Sequence, residues 1–250
     1  MLTEFPELML RAEWGGRVDC FDDQCAMVWK SWELLAGHGS FLGMPWYSLN
    51  REIGDEVPVP TVLDLREDML RASQEDQLNY GFTTLTLETG DNEPNMMMNV
   101  HLSDPRGWRR GAANSAYLSL DGGCGMGRAG ALPVDWLLSI GISLVMDFVD
   151  VWDPDAASLD CLELMRLRPA PPNVEAKPVV GFFSWFSDDV VGPVGLPTAF
   201  MVKPYKNGTL VGIDPRSSDP LSDAMRLSSR VDAVGCLKLI PFVQGEPNPD

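Results

Sequence analysis

The chain has 250 residues and combines strong acidity with a large apolar fraction. It carries 36 acidic and 19 basic side chains, a formal net charge of −17 at pH 7, yet 45% of its residues are hydrophobic and eight are tryptophan. This composition excludes a disordered acidic tail, because so much apolar and aromatic material can form a packed core. A strongly negative surface disfavours nucleic acid and anionic membranes as partners and favours a basic protein.

Other sequence features exclude further classes of protein. The longest apolar stretch, Val134–Trp152, contains Asp135, Asp147 and Asp150, and three carboxylates argue against a membrane span. The N-terminus has no basic region followed by a small-residue cleavage site, so we expect a cytoplasmic protein. The five cysteines form no Cys-x-x-Cys pair and only two histidines are present. We therefore expect reduced, buried thiols and no zinc site.

The N-terminal quarter predicts one strand followed by two helices. Residues Leu8–Trp14 alternate between apolar and polar side chains, as strands do. Helical spacing of apolar residues then predicts a helix that Asp19 caps and that continues through Ala36. A capping-box pattern that begins at Thr61 predicts a second helix, from Val62 to about Leu78.

The rest of the chain predicts mostly strands, with two more helices. The predicted strands are Phe82–Glu88, Met96–Leu102, Ser115–Leu120, Leu159–Leu167, Gly181–Phe186, Thr198–Val202, Gly208–Ile213 and a closing strand Cys236–Val243. Val134–Trp152 predicts the most apolar helix, which Asp153-Pro154 ends. Asp219-Pro220 opens a last helix that ends at Gly235.

This order of elements predicts the fold class. Strand pairs joined by short turns, with helices inserted at intervals, indicate an α+β fold with a largely antiparallel sheet and three to four helices. The proline-rich stretch at residues 168–178 is a candidate subdomain break. A single domain over residues 1–250 and two closely packed subdomains are both consistent with the pattern.

A glycine-rich segment, Asp121–Gly130, is the main enzyme-like signal. It contains a G-x-G-x-x-G pattern between a predicted strand and a predicted helix, which is the context of a dinucleotide site. However, Pro133 disfavours helical geometry at Leu132, and the repeated βα units of a parallel sheet are missing. We therefore predict a loop and no cofactor. An enzyme that binds a small molecule or nucleotide through residues 121–130 stays an alternative, as does a regulatory protein-interaction module.

Charge is segregated along the sequence. No lysine or arginine lies between Arg128 and Arg166, whereas seven acidic residues do. Asp153-Pro-Asp155 lacks the alternating oxygen ligands and the glycine turn of a calcium loop. This stretch is therefore interpreted as a solvated or partner-facing edge, with metal binding or acid–base catalysis as a weaker alternative.

The segment Gly181–Asp189 is the most aromatic part of the chain. As a strand it carries aromatic side chains on both faces, which is typical of a strand buried in the centre of a sheet. An aromatic anchor such as Trp185, bordered by Asp188 and Asp189, would alternatively suit a binding hot spot. No nucleophile–base pair accompanies it, since the serines lack a G-x-S-x-G context. A binding protein is favoured over an enzyme.

The order of several short motifs resembles a known family. These motifs are Leu10–Arg17 (LRAEWGGR), Gly81–Leu87 (GFTTLTL), Asp150–Asp155 (DVWDPD), Val180–Ser187 (VGFFSWFS) and Gly208–Val211 (GTLV). Together they resemble the immunity protein 52 family of bacterial toxin and type VI secretion systems, from about residue 8 to residue 240. The glycine-rich segment and the proline linker depart from the compact form of that family.

The resemblance implies a non-enzymatic protein that binds and neutralises a cognate toxin. Partners of this family commonly carry a nuclease domain of restriction-endonuclease fold, and an acidic inhibitor can occupy the basic surface that such a nuclease offers to DNA. The candidate toxin contacts are Asp153, Asp155, Trp185, Asp188 and Asp189. We assign no catalytic, cofactor or metal residue, expect no direct contact with nucleic acid or membrane, and expect a monomer or homodimer when no toxin is bound.

Overall fold

The computed structural model describes most of the chain. The described residues are 4–5, 7–15, 20–38, 46–48, 57–79, 83–88, 95–102, 114–121, 132–168, 177–192, 195–197, 200–238 and 240. The glycine-rich segment beyond residue 121 and the predicted N-cap Asp19 lie outside them.

Five helices and twelve strands lie within the described residues. The helices are α1 (Phe21–Gly37), α2 (Val62–Asn79), α3 (Val134–Trp152), α4 (Leu162–Leu167) and α5 (Pro220–Val234). The strands are β1 (Glu4–Phe5), β2 (Glu7–Trp14), β3 (Tyr47–Ser48), β4 (Val57–Pro58), β5 (Thr83–Glu88), β6 (Asn95–Leu102), β7 (Asn114–Asp121), β8 (Leu132–Pro133), β9 (Ala156–Cys161), β10 (Phe183–Ser187), β11 (Met201–Tyr205) and β12 (Gly208–Gly212).

Ten of the strands form one sheet, and β1 pairs separately with β8. The order in the large sheet is β11-β12-β10-β9-β2-β7-β6-β5-β3-β4, and the paired strands are antiparallel. The predicted α+β class with a largely antiparallel sheet is therefore confirmed. β9 pairs with β10 across the proline-rich segment, so the sheet is continuous through the predicted subdomain break at residues 168–178.

The central strand β2 shows how the two faces of the sheet are used. Its even-numbered residues, Leu8 to Trp14, are almost completely buried and face α3, which packs across β2, β9 and β10. Its odd-numbered residues point to the other face, where the Arg11 guanidinium contacts the Met165 sulfur of α4. Alternation along the strand thus separates the core side from the α4 side.

Helix α3 packs very closely on the sheet, at Gly141. A Cβ atom added to Gly141 would lie 2.6 Å from the Phe183 Cδ2 atom and 2.8 Å from the Leu159 Cδ2 atom. Both partners are fully buried rings or branched side chains that cannot move away freely. The absence of a side chain at this position therefore sets the distance between α3 and the sheet.

None of the helices in the described part of the chain combines the length and apolarity that a membrane crossing requires.

Part of one predicted strand is a helix. The sequence predicts a strand over Leu159–Leu167, but β9 ends at Cys161 and the next six residues form α4. The Cys161 sulfur accepts a hydrogen bond from the Leu164 N–H at 3.3 Å and so caps the helix. Leucine, methionine, glutamate and arginine are all good helix formers. This short helix is the reason that the helix number exceeds the predicted three to four.

The other boundaries follow local signals closely. α3 has the predicted bounds, and the Thr61 hydroxyl accepts the Asp64 N–H as the capping box predicts. α5 begins after Asp219, whose carboxylate accepts the Ser222 N–H, and ends at Gly235 with φ of 63°. Of the strand predicted at Thr198–Val202, residues 198 and 199 lie outside the described residues, and the observed strand β11 is Met201–Tyr205.

The C-terminal strand prediction is only partly covered. Of Cys236–Val243, Leu237 forms an isolated bridge with Val191, while residues 239 and 241–243 lie outside the described residues.

A buried ion pair fixes the chain on both sides of the proline-rich segment. Arg168 donates from Nη1 to Asp160 Oδ2 at 2.6 Å and from Nη2 to Asp160 Oδ1 at 3.0 Å. It also donates to the Val180 carbonyl oxygen at 2.6 Å. Asp160 is completely buried, and a charge at such a position is tolerated only with a partner of good geometry. This clamp holds the residues on either side of 169–176 against β9.

We expect the substitution Gly141→Ala to destabilise the protein, although alanine is the better helix former. Overpacking against Phe183 and Leu159 costs about 1–3 kcal/mol, which exceeds the helix-propensity gain of about 1 kcal/mol. Urea unfolding measures the difference. Gly37→Ala at the end of α1 is the matched control, because an added Cβ meets no atom within 4 Å there. A stabilised Gly141→Ala variant would contradict the close packing of α3.

Candidate partner-binding surface at the acidic end of the sheet

Six aspartates gather at one end of the sheet, where β2 and β10 end and β9 and β12 begin. We call this surface the acidic end; its members are Asp147, Asp150, Asp153, Asp155, Asp188 and Asp189. Backbone hydrogen bonds join the segments that carry them. The Asp155 N–H donates to the Glu13 carbonyl at 3.0 Å, the Ser187 N–H donates to the Asp155 carbonyl at 3.0 Å, and the Asp188 N–H donates to the Asn207 carbonyl at 2.9 Å.

Helix α3 directs its negative end toward this surface. Asp147 and Asp150 lie in its last turns and Asp153 follows directly, whereas the last turn contains no basic residue. The C-terminus of a helix carries a partial negative charge, so carboxylates there are electrostatically unfavourable. The dipole of α3 taken alone therefore disfavours the ionised form of these three aspartates.

The backbone conformation of Asp153 is also unfavourable. Its φ angle of 41° lies in the left-handed region, which glycine and then asparagine adopt most readily. Its N–H donates to the Val149 carbonyl at 3.1 Å and so closes the end of α3. The carboxylate is exposed, and the following Pro154 is buried and prevents continuation of the helix.

Asp155 has a structural role. Its carboxylate accepts the Gly15 N–H at 2.7 Å, which ties the end of β2 to the beginning of β9. Directly beside it, the buried rings of Trp14 and Trp152 stack with centroids 5.3 Å apart. Asp155 is a predicted toxin contact, but it is half-buried and its carboxylate already holds two strands together.

Trp185 lies in the core and not on the surface. Its side chain is fully buried on β10, and its indole N–H donates to the Tyr205 carbonyl oxygen at 2.9 Å. The core interpretation of the aromatic segment is therefore the correct one, and a direct contact through Trp185 would require the sheet to open. Phe183 and Trp185 lie on the face of β10 that α3 covers, and Phe186 on the opposite face is also fully buried.

Asp188 and Asp189 lie on the surface, in the turn that follows β10. Both are exposed, and Lys238 donates from Nζ to the Asp189 carbonyl oxygen at 3.1 Å rather than to its carboxylate. Together with Asp153 they are the three predicted contacts that a partner could reach directly.

Two residues of the β11–β12 hairpin contact the acidic end, and no sequence pattern predicted them. The Tyr205 hydroxyl and the Lys206 ammonium each approach Asp150 Oδ1 to 2.7 Å. Burial alone would raise the pKa of Asp150, but the hydrogen bonds from Lys206 and Tyr205 lower it below its usual range. Burial and the bond to Asp150 raise the pKa of Tyr205 to about 12. Asp150 is therefore held ionised.

Asp147 also has a partner, because His38 at the end of α1 contacts its carboxylate. No sequence spacing predicts this pair, because the two residues follow or lie in different helices and meet only in the folded chain. The pair joins α1 to the last turns of α3.

The exposed carboxylates of the acidic end can bind a positively charged surface of a partner. No group of three or more histidine, cysteine, aspartate or glutamate side chains is arranged to hold a metal ion in the described part of the chain. Exposed carboxylates in a cluster attract a basic protein surface and tune its rate of association.

Comparisons with solved structures give distant likenesses. No family model matches the chain, and no curated protein matches it. A solved structure of the Pseudomonas aeruginosa T6SS protein PA0821 is similar with a TM-score of 0.43 and 9% sequence identity. The match covers 95% of this chain and 79% of that one.

We expect Asp153→Asn to stabilise the protein. Asparagine tolerates the left-handed conformation and removes a negative charge from the C-terminus of α3, a gain of about 0.5 kcal/mol. Asp135→Asn is the matched control, because Asp135 lies in the first turn of the same helix and its loss should cost a similar amount. Chemical unfolding of both variants tests the effect. Shifts in the same direction would show that the helix dipole does not govern Asp153.

We expect Tyr205→Phe to reduce stability in a pH-dependent way. The variant loses a hydrogen bond to the ionised form of Asp150, so the pKa of Asp150 rises. A lowered pKa in the folded state contributes stability above the ordinary aspartate pKa, and this contribution disappears as the pH falls through the folded-state pKa. The difference from the parent protein should be about 0.5 kcal/mol at pH 7 for this exposed site and should vanish in acid.

Unfolding measured across pH checks this, with Tyr205→Phe in an Asp150→Asn background as the control. In that background the pH dependence should disappear. If it persists, a group other than Asp150 is responsible.

Proposed function

We propose that this chain is an immunity protein that binds and neutralises a cognate bacterial toxin, without catalytic activity of its own. The observation that carries the proposal is the acidic end. Its exposed aspartates are kept at a helix C-terminus and, at Asp153, in a left-handed conformation. Local rules are most often violated where a residue is needed for function.

The family resemblance supports the same surface. Four of the motifs that carry the resemblance converge there: β2 with Trp14, the end of α3 with residues 150–155, β10, and the start of β12 at Gly208. Segments far apart in the sequence thus meet at one end of the sheet. A shared partner-binding surface explains why these segments carry the likeness to immunity proteins.

A toxin that acts on DNA or RNA fits the charge of this surface. Such a nuclease presents a basic groove to its substrate, and the acidic end can occupy that groove in place of the phosphates. Electrostatic attraction of this kind raises association rates to about 10⁸ M⁻¹s⁻¹ or more at low salt. We propose a type VI secreted nuclease of restriction-endonuclease fold as the toxin, and the cytoplasm as the place of neutralisation.

Affinity also requires packed contacts, because rim charges mainly change the association rate. Trp185 is buried and does not supply them. Tyr205 is half-buried at the acidic end and is held by its bond to Asp150. We propose Tyr205 as the aromatic contact, with Asp153, Asp188 and Asp189 around it.

The first experiment is co-expression with the protein that the neighbouring gene encodes, which the proposal expects to be the toxin. The proposed function requires that the chain restores growth to cells that express the toxin and that the two proteins elute as one complex from a sizing column. Continued growth arrest with no complex would overturn the proposal.

The surface itself is tested by removing its exposed charges. In the triple variant Asp153→Asn, Asp188→Asn, Asp189→Asn, the association rate with the toxin at low salt should fall about tenfold, with a weaker salt dependence. The control triple variant Glu33→Gln, Glu67→Gln, Asp232→Asn removes the same number of charges from other exposed positions. Equal losses in both variants would show that net charge alone attracts the toxin.

A further inference from the structure

Strand β11 forms one outer edge of the large sheet. It pairs with β12, and no other strand in the described part of the chain pairs with it. Val202, Lys203 and Pro204 are exposed along this edge. An edge strand with free backbone groups is a template on which another extended chain can pair.

The register of the hairpin shows which backbone groups point outward. Tyr205 pairs with Gly208 next to the turn, and Val202 and Pro204 pair with Val211 and Thr209. Proline has no N–H and occurs in edge strands where that position faces away from the sheet. Alternate residues face the same way, so the N–H and carbonyl of Val202 face outward with Pro204.

A groove lies beside this edge, between the start of β11 and helix α5. It has a volume of about 580 Å³ and is lined by Phe200, Ser222, Met225, Arg226, Ser229 and Arg230. A second hollow of about 430 Å³ continues from it past Met201 and Ile213 and shares Phe200 and Arg226. A strand added to β11 would place alternate side chains against this half-apolar groove.

The groove is basic although the protein is strongly acidic. The lining of the groove beside β11 includes Arg226 and Arg230 and no acidic residue among the described residues, in a chain whose net charge is −17, whereas the second hollow adds Asp214 and Asp223. Arg226 pairs with Asp223, whereas Arg230 is exposed and pairs with no carboxylate in the described residues. Lys203 is exposed on the other side of the same edge. Cations thus lie on both sides of a strand that would pair with β11.

We propose that β11 and α5 bind an extended acidic segment of a partner protein by strand addition. The backbone of the segment pairs with Val202, its apolar side chains contact Phe200 and Met225, and its carboxylates meet Arg230 and Lys203. This site is separate from the acidic end and opposite to it in charge. It does not depend on the partner being a toxin.

A second copy of this chain is disfavoured as the occupant. Antiparallel pairing of two β11 strands would bring two Lys203 side chains together, and like charges on neighbouring strands are destabilising. Pro204 also removes one outward donor from each copy. Neither Lys203 nor Pro204 prevents an acidic strand from pairing with the outward N–H and carbonyl of Val202.

The probe is a fluorescein-labelled octapeptide Val-Glu-Glu-Val-Val-Glu-Glu-Val, which as a strand carries valine and glutamate on both faces. Its counterpart has lysine in place of each glutamate. Fluorescence anisotropy should show binding of the glutamate peptide and none of the lysine peptide. Hydrogen exchange should show that the bound peptide protects the Val202 amide. If the glutamate peptide does not bind, or binds without protecting that amide, the proposal is wrong.

Variants separate strand pairing from simple charge attraction. Val202→Pro removes the outward donor and should weaken binding about tenfold, whereas Val202→Thr keeps the N–H and should not. Arg230→Glu should also weaken binding about tenfold, whereas Lys238→Glu changes the charge equally outside the groove. Equal binding by the two Val202 variants, or equal losses in Arg230→Glu and Lys238→Glu, overturns the proposal. Circular dichroism shows whether each variant is folded. If Val202→Pro is unfolded, the comparison of Arg230→Glu with Lys238→Glu tests the proposal.

Discussion

The pairing of β2 on both of its edges is the constraint on which the rest of the structure depends. This strand lies between β7 and β9 and is the only link in the large sheet between the strands β3–β7 and the strands β9–β12 among the described residues. Residues 8–14 must find partners a hundred or more positions away, and such non-local contacts are entropically costly. The buried side of β2, which carries leucine, alanine and tryptophan, offsets this cost by packing against α3.

The acidic end is a consequence of that pairing. Where β2 ends, Gly15 donates to Asp155, and the Trp14 ring stacks on Trp152 at the end of α3. The aspartates beyond this point are thereby held at fixed positions on rigid elements. Asp155 is satisfied by backbone, and Asp150 is satisfied by Tyr205 and Lys206. Asp153, Asp188 and Asp189 expose their side chains at this end of the sheet, where a basic partner can reach them.

Sequence patterns predicted the features that depend on interactions between residues close together in the chain. The bounds of α3, the capping of α2 by Thr61 and both ends of α5 depend on residues a few positions apart, and all were predictable. Alternation in the aromatic segment predicted a buried β10, but it could not decide which aromatic side chain reaches the surface. That depends on the neighbours of β10 in the sheet, which is why Trp185 was a candidate contact and Tyr205 was not. The helix α4 was missed because its cap is a cysteine sulfur, for which sequence rules have no strong preference.

The two surfaces of opposite charge lie at the two ends of one hairpin. β11 begins at the groove, with Met201, and ends at the acidic end, with Tyr205. Four residue steps along a strand span about 14 Å, which exceeds the screening length of about 8 Å at physiological ionic strength. The groove beside the start of β11 therefore attracts its own part of a partner, whereas Lys203 lies midway along the strand, about 7 Å from Tyr205 and within the screening length of the acidic end. A single partner with a basic groove and an adjoining acidic strand would satisfy both, and it would have one orientation on this hairpin, because reversing it would bring like charges together at both ends.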